Sequence, residues 1–182
     1  MDHAGAEELE AGLAEIRRSP RDGGVVELIV GRPAEGAREV LEEGTLDLDD
    51  GLVGDCWRVR GSRSTPDGSA NPDAQLTLMN SRVAALLAGE RERWALAGDQ
   101  LYVDLDLSAG NLPPGTRLAL GSAVVEVTAE PHTGCVKFRD RFGHEALRFV
   151  SSPTGRALNL RGVNARVVEP GTVRRGDAVR KL

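Results

Sequence analysis

The stretch Leu101-Tyr102-Val103-Asp104-Leu105-Asp106-Leu107 carries the cleanest apolar–polar alternation in the chain. Side chains of a strand point to opposite faces in turn, so a period of two predicts a strand with a leucine-and-valine face and a wet face of Tyr102, Asp104 and Asp106. Reading outward, Pro113-Pro114-Gly115 turns the chain into Thr116–Leu120, and Gly121-Ser122 makes a tight turn into Ala123–Ala129, a predicted hairpin. Val25–Val30 and Gln75–Leu78 read as earlier strands. Asn164–Glu169 and Thr172–Arg180 read as a closing hairpin around Pro170-Gly171. Many short strands at close spacing, with no linker between them, predict a mainly β (α+β) chain closing into a complete or nearly complete barrel.

Composition agrees. With 22 glycines and 9 prolines the 182 residues have turns in abundance, and 3% aromatic residues leave the core to valine, leucine and alanine. Short helices decorate the strands. In Ala6–Arg18, Leu9, Leu13 and Ile16 form one apolar stripe, ended by Pro20 and Gly23-Gly24. Another is capped by Asn80 or Ser81, buries Val83, Leu86 and Leu87, and stops near Gly89. Glu145–Val150 reads as a short helical turn, and 60–72 as a long polar loop. The expected organisation is a helical arm over 1–24 and one barrel domain over 25–182.

No stretch approaches the ~20 apolar residues of a membrane span, and 1–19 contain no apolar signal region. A cytoplasmic protein with reduced cysteines is therefore expected. Its two cysteines, Cys56 and Cys135, are too few for a disulfide framework or a four-thiolate zinc site. The net charge is −5, which argues against a nucleic-acid binder. That charge is unevenly spread: residues 1–130 hold 12 Lys and Arg against 24 Asp and Glu, whereas 131–182 hold 11 against 4. A basic final third fits a site for an anionic small molecule; equally, the charges of the two parts can cancel where their strands pair.

Within that third lies Glu130-Pro131-His132-Thr133-Gly134-Cys135-Val136-Lys137-Phe138-Arg139-Asp140-Arg141-Phe142-Gly143. It follows a strong strand, so it falls in a loop at a sheet's end, where binding groups concentrate. Gly134 clears space beside the thiol. Lys137, Arg139, Arg141 and His132 surround it in sequence, and neighbouring cations favour the nucleophilic thiolate. The alternative is a packed, inert cysteine, and these residues leave both open. His132, Cys135 and His144 lack the spacing of a metal site, so no protein-ligated metal is expected. Cys56, beside Trp57, reads as structural.

Four stretches together resemble the MOSC domain family, the C-terminal module of molybdenum-cofactor sulfurases that also occurs as stand-alone bacterial proteins. They are Gly51-Leu52-Val53-Gly54-Asp55; Gly98-Asp99-Gln100-Leu101; Leu112–Leu120 with Val125-Glu126-Val127-Thr128, leading to Cys135; and Arg161-Gly162-Val163-Asn164-Ala165-Arg166 with Gly171-Thr172-Val173 and Gly176-Asp177. The resemblance implies a barrel like that inserted in pyruvate kinase and a cysteine, here Cys135, that carries sulfur or meets the molybdenum cofactor. In this reading His132, Lys137, Arg139, Arg141, Arg161 and Arg166 contact an anionic pterin, and Asp99 and Gln100 bond its edge. The sequence departs from the family at Pro131–Gly134, at Cys56 after Gly54-Asp55, and at Asp99-Gln100. Partners implied are a pyridoxal-phosphate cysteine desulfurase, for whose fold this chain has no room, and a molybdoenzyme. The other reading is a non-catalytic module that binds a small anion or a partner, with Cys135 merely packed.

Overall fold

The computed structural model describes residues 3–182. Its first half runs α1 (Ala6–Ile16), β1 (Gly24–Gly31), β2 (Glu39–Leu41), β3 (Glu43–Asp47), β4 (Gly51–Leu52), α2 (Trp57–Arg60), β5 (Leu76–Asn80), α3 (Ser81–Ala88) and a 3₁₀ turn, Arg91–Ala97. The second half is β6 (Leu101–Asp104), β7 (Arg117–Leu120), β8 (Ala123–Val127), α4 (Val136–Ser151), α5 (Pro153–Ala157), β9 (Val163–Glu169), β10 (Gly171–Arg174) and β11 (Ala178–Lys181).

Seven strands close a barrel in the order β1-β6-β5-β9-β8-β7-β11, and β11 returns to β1 through Gly24↔Val179 and Val25↔Ala178. Every neighbouring pair is antiparallel except β5–β6, which are joined by the crossover through α3. β2 hangs on β1 outside the ring, and β10-β3-β4 form a separate small sheet.

Two cores result. The barrel interior is filled by Val26, Ile29, Leu76, Leu78, Leu101, Val103 and their neighbours, with Leu46, Leu52 and Val173 added by the small sheet. A second core lies between the barrel wall and α1, α3 and α4, and holds Leu9, Leu28, Val30, Met79, Tyr102, Phe138 and Phe142. A bulge lets β1 serve both. Val26 pairs with Val103 and Leu28 with Tyr102, so Glu27 is the extra residue. This shifts the parity, leaving Val26 and Ile29 inside and Leu28 and Val30 outside.

Several expectations need correction. The face of β6 predicted to be wet is covered: Tyr102 is fully buried and its hydroxyl donates to Trp94 O at 2.8 Å. Alternation marked a strand correctly, but helices dock on its second face. The strand also ends at Asp104, while Leu105 and Leu107 stay buried beyond it. The closing hairpin is absent. β9 pairs with β8 and β5, β10 crosses to β3, and β11 closes the barrel. The turn expected over 145–150 belongs to a helix that starts at Val136 and is broken at Gly143 (φ 90°, ψ 170°). The hairpin at Gly121-Ser122 forms as predicted, with Leu120↔Ala123 at its end. Asn80 caps α3 by accepting from Arg82 N at 2.8 Å. α1 packs on α3 and α4 of its own chain. No helix among the described residues is long and apolar enough to cross a membrane.

Candidate functional site

The 3₁₀ turn Arg91–Ala97 ends in four successive carbonyls, and each holds a different arginine. Ala95 O accepts from Arg38 Nε (3.2 Å), Leu96 O from Arg141 Nη1 (2.8 Å), Ala97 O from Arg161 Nη2 (3.0 Å) and Gly98 O from Arg32 Nη1 (3.0 Å). Ala95 O also accepts from Gly98 N at 3.2 Å; the carbonyls after it lack partners within the turn and carry partial negative charge, so cations collect there. Gly98 leaves the turn at φ 93°, a conformation that favours glycine. A β-carbon there would stand 3.5 Å from Arg38 Nη2 and 3.8 Å from Arg141 Nη1, so the two guanidiniums flank it.

Two buried carboxylates anchor the deeper pair of arginines. Asp55 grips Arg32 through Nε–Oδ2 at 2.8 Å and Nη2–Oδ1 at 2.9 Å, and also accepts from the backbone N of Arg32 and Trp57. Asp99, with no exposed surface, bonds Arg161 Nη1 at 2.6 Å and His132 Nε2 at 2.7 Å. Burial alone would raise the Asp99 carboxyl, but Arg161 and His132 outweigh it and hold it at about 2. Burial, and then Arg161, push the His132 imidazole below its usual range. The Arg161 guanidinium lies 4.9 Å from the Phe138 ring centroid, and its Nε is buried without a partner among the described residues.

In front of these pairs is a cavity of about 150 Å³. Its wall includes both cysteines, Cys56 and Cys135, and six cations, Arg32, Arg38, Arg60, Lys137, Arg141 and Arg161, with Glu35 the one carboxylate. Glu35 is paired to Lys137 at 2.5 Å. Among the described residues Arg38, Arg60 and Arg141 make no salt bridge. Arg38 is pushed below the usual arginine range by burial first and by Arg141 and Arg32 next. The cavity is a concentration of unneutralised positive charge beside a thiol, suited to a small anion.

Of the residues selected from sequence, Cys135, Lys137, Arg141 and Arg161 meet at this cavity. Asp99 and His132 stand one layer behind, orienting Arg161; the imidazole also borders cavities of about 360 and 180 Å³. Arg139 is outside, paired with Asp140. The reason is geometric: positions 137, 139 and 141 share one face of a strand, but on a helix 137 and 141 align and 139 falls opposite. Arg166 projects from β9 to Glu126 and Asp73. The Gln100 amide is consumed by Thr77 N, Thr77 Oγ1 and Gln75 O inside the fold. Gly54 (φ 87°), Gly162 (φ 110°) and Gly176 (φ 92°) shape turns, and Asp177 O accepts from Val26 N at the barrel seam. His144 is exposed, and no three His, Cys, Asp or Glu cluster among the described residues.

Sequence reasoning missed Arg32, Arg38 and Arg60 and took Cys56 for structural. An arginine just past the end of an apolar strand, as Arg32 is in Val30-Gly31-Arg32-Pro33, was the available signal for the first. The charge asymmetry is also partly neutralised across the fold, through Asp99–Arg161, Glu126–Arg166, Glu43–Arg174 and Glu42–Arg175.

The fold of this chain recurs among solved structures. The YUAD protein from Bacillus subtilis superposes with a TM-score of 0.64 at 17% identity, over 86% of this chain and 93% of that one. YiiM from Escherichia coli gives 0.56 at 20% identity, over 87% and 69%, and YiiM from Geobacillus stearothermophilus 0.53 at 14%, over 88% and 73%. At these identities the likeness is one of fold. No curated protein matches the sequence. The MOSC domain model matches residues 65–180, and the chain belongs to the MOSC domain family.

Proposed function

We propose that the cavity binds a small anionic ligand, the molybdenum cofactor or a related group, and that Cys135 carries sulfur on it as a persulfide. The observation that carries this reading is the exposed Cys135 in one wall with Arg38, Arg60 and Arg141, three cations with no carboxylate partner among the described residues. In loading, the Cys135 thiolate attacks the outer sulfur of a donor's persulfide. The donor's S–S bond breaks, and its cysteine leaves as a thiolate. Cations around the site stabilise the negative charge in play.

The donor set fits the anionic end of a molybdenum cofactor, since guanidinium forks match phosphate oxygens. At about 150 Å³ the cavity takes that end rather than the whole group. Arg38, Arg60, Lys137 and Arg141 would hold it, and Asp99 and Asp55 keep Arg161 and Arg32 in position behind. A bound cofactor would supply redox chemistry that these side chains lack. The chain is read as cytoplasmic, with a separate pyridoxal-phosphate cysteine desulfurase as sulfur donor and a molybdoenzyme as possible acceptor.

The test is the intact mass of the purified protein before and after incubation with cysteine and a desulfurase. One added sulfur, located on Cys135 and removed by reductant, is the expected result. A protein that gains no sulfur, with Cys135 inert to alkylation when folded, belongs instead to the binding-module reading.

A further inference from the structure

The dimensions and charge of the cavity specify its sulfur donor more narrowly, provided the persulfide reading of Cys135 holds. Pockets enclosing drug-sized molecules run to about 300–1,000 Å³. A space of about 150 Å³ therefore matches a handful of non-hydrogen atoms. Of the six cations in its wall, Arg32, Arg161 and Lys137 are paired to Asp55, Asp99 and Glu35, which leaves three. Arg38, Arg60 and Arg141 are not neutralised by any carboxylate among the described residues. Arg38 donates Nε to Ala95 O and Nη1 to Ala37 O, and Arg141 donates Nη1 to Leu96 O, which leaves Arg38 Nη2 and Arg141 Nε and Nη2 available to a ligand. Behind them Arg161 is more than nine-tenths buried and has an Nε with no partner among the described residues.

We propose that this cavity binds a small sulfur oxyanion of the thiosulfate class and that Cys135 takes the sulfane sulfur from it directly, so that the chain loads without a protein donor. Attack of a thiolate on a dianion is opposed by like-charge repulsion, and this wall supplies the compensation that water would supply poorly. The Cys135 thiol gives its proton to solvent, and its sulfur bonds to the outer sulfur of thiosulfate. The S–S bond of thiosulfate breaks, and sulfite leaves with the bonding pair. Three negative charges enter and three remain, one on the persulfide and two on sulfite. The outer sulfur is reduced no further and no external oxidant is needed. A nucleophilic acceptor such as cyanide then removes the sulfane sulfur as thiocyanate and regenerates the thiolate.

Cys56, in the same wall, can discharge the persulfide as hydrosulfide and leave a Cys56–Cys135 disulfide, so the assay is run in the full chain and in Cys56→Ser. Incubated with thiosulfate alone, both should gain one sulfur on Cys135 or, in the full chain, a disulfide with hydrosulfide. Both should release one sulfite per chain, and Cys56→Ser, which keeps the persulfide, should convert cyanide to thiocyanate. Arg38→Ala and Arg141→Ala, folded by circular dichroism, should each need about tenfold more thiosulfate for half-maximal rate. Arg139→Ala, on the same helix but outside the cavity, should not. Loading by a desulfurase but not by thiosulfate overturns this inference and leaves the persulfide reading standing. Loading by neither overturns both. Thiosulfate loading that is indifferent to Arg38 and Arg141 overturns the inference too, because the cavity would then not be where the donor binds.

Discussion

Cys135 and Asp99 represent two kinds of residue at this site, one exposed and chemically available, the other buried and holding the frame. Cys135 makes no side-chain hydrogen bond to cap α4 and is exposed. Cys135→Ala should therefore abolish sulfur loading, read by intact mass, while shifting the denaturant midpoint negligibly. Asp99 is different. The folded state holds its carboxyl at about 2, whereas an unfolded aspartate titrates near 3.9. The group thus contributes stability in full above about pH 4–5, and that contribution, on the order of 2–3 kcal/mol, is lost as pH falls toward 2. His132, lowered from 6.5, adds a loss that begins near that value on acidification. In Asp99→Asn the acid limb between pH 4 and 2 should flatten. Total stability should drop by about 3–5 kcal/mol because Arg161 stays buried without its carboxylate. Denaturant titrations over a pH series measure both, and parallel curves for the two proteins would refute the assignment.

At the scale of elements, the break in α4 decides which side chains face the cavity. Val136–Phe142 presents Lys137 and Arg141 to the site and Phe138 and Phe142 to the second core, the two rings 5.0 Å apart. At Gly143 the backbone takes φ 90° and ψ 170°, which L side chains rarely adopt, and a β-carbon would stand 2.8 Å from His3 Nδ1. Gly143→Ala should cost about 1–3 kcal/mol by chemical denaturation and should weaken anion binding as the first half of the helix shifts. A fully stable variant would mean that the break is incidental. The loop leading to Cys135 was legible from the strong strand before it, but the helix start after Cys135 was indistinct in the sequence. Basic residues at every second position suit a strand as well as a helix, and Phe138 and Phe142 at i, i+4 gave the helical signal that the charges obscured.

For the whole molecule, closure rests on a small seam. β11 reaches β1 through only Gly24↔Val179 and Val25↔Ala178, and reaches β7 through three further pairs. Removing residues 178–182 takes away Val179, which is fully buried in the barrel core, and leaves two barrel strands with unpaired edges. The shortened chain should lose its cooperative thermal transition or aggregate, as judged by calorimetry and light scattering. Retention of a sharp transition near that of the full chain would show that the ring does not depend on its last strand.

The sequence by itself determined what repeats locally. The period of two marked β6, and short apolar runs and the turns bounding them marked β1, β5, β7 and β8. Asn80 marked a cap, and the pair Gly121-Ser122 marked a hairpin. It also placed Cys135, Lys137, Arg141 and Arg161 in one site, aided by the family resemblance. Only the tertiary structure decided the rest. Whether the second face of β6 meets water or helices depends on what docks there, and Tyr102 looks the same in either case. The closing hairpin failed because β9, β10 and β11 find better partners in β5, β3 and β1 than in one another, and strand partners are chosen by distant apolar faces. Arg32, Arg38, Arg60 and Cys56 lie far from Cys135 along the chain. Arg32 and Arg38 reach its cavity because the carbonyls of Gly98 and Ala95 hold them at one end of the barrel, and Cys56 is tied beside them through its backbone N to Arg32 O at 2.7 Å.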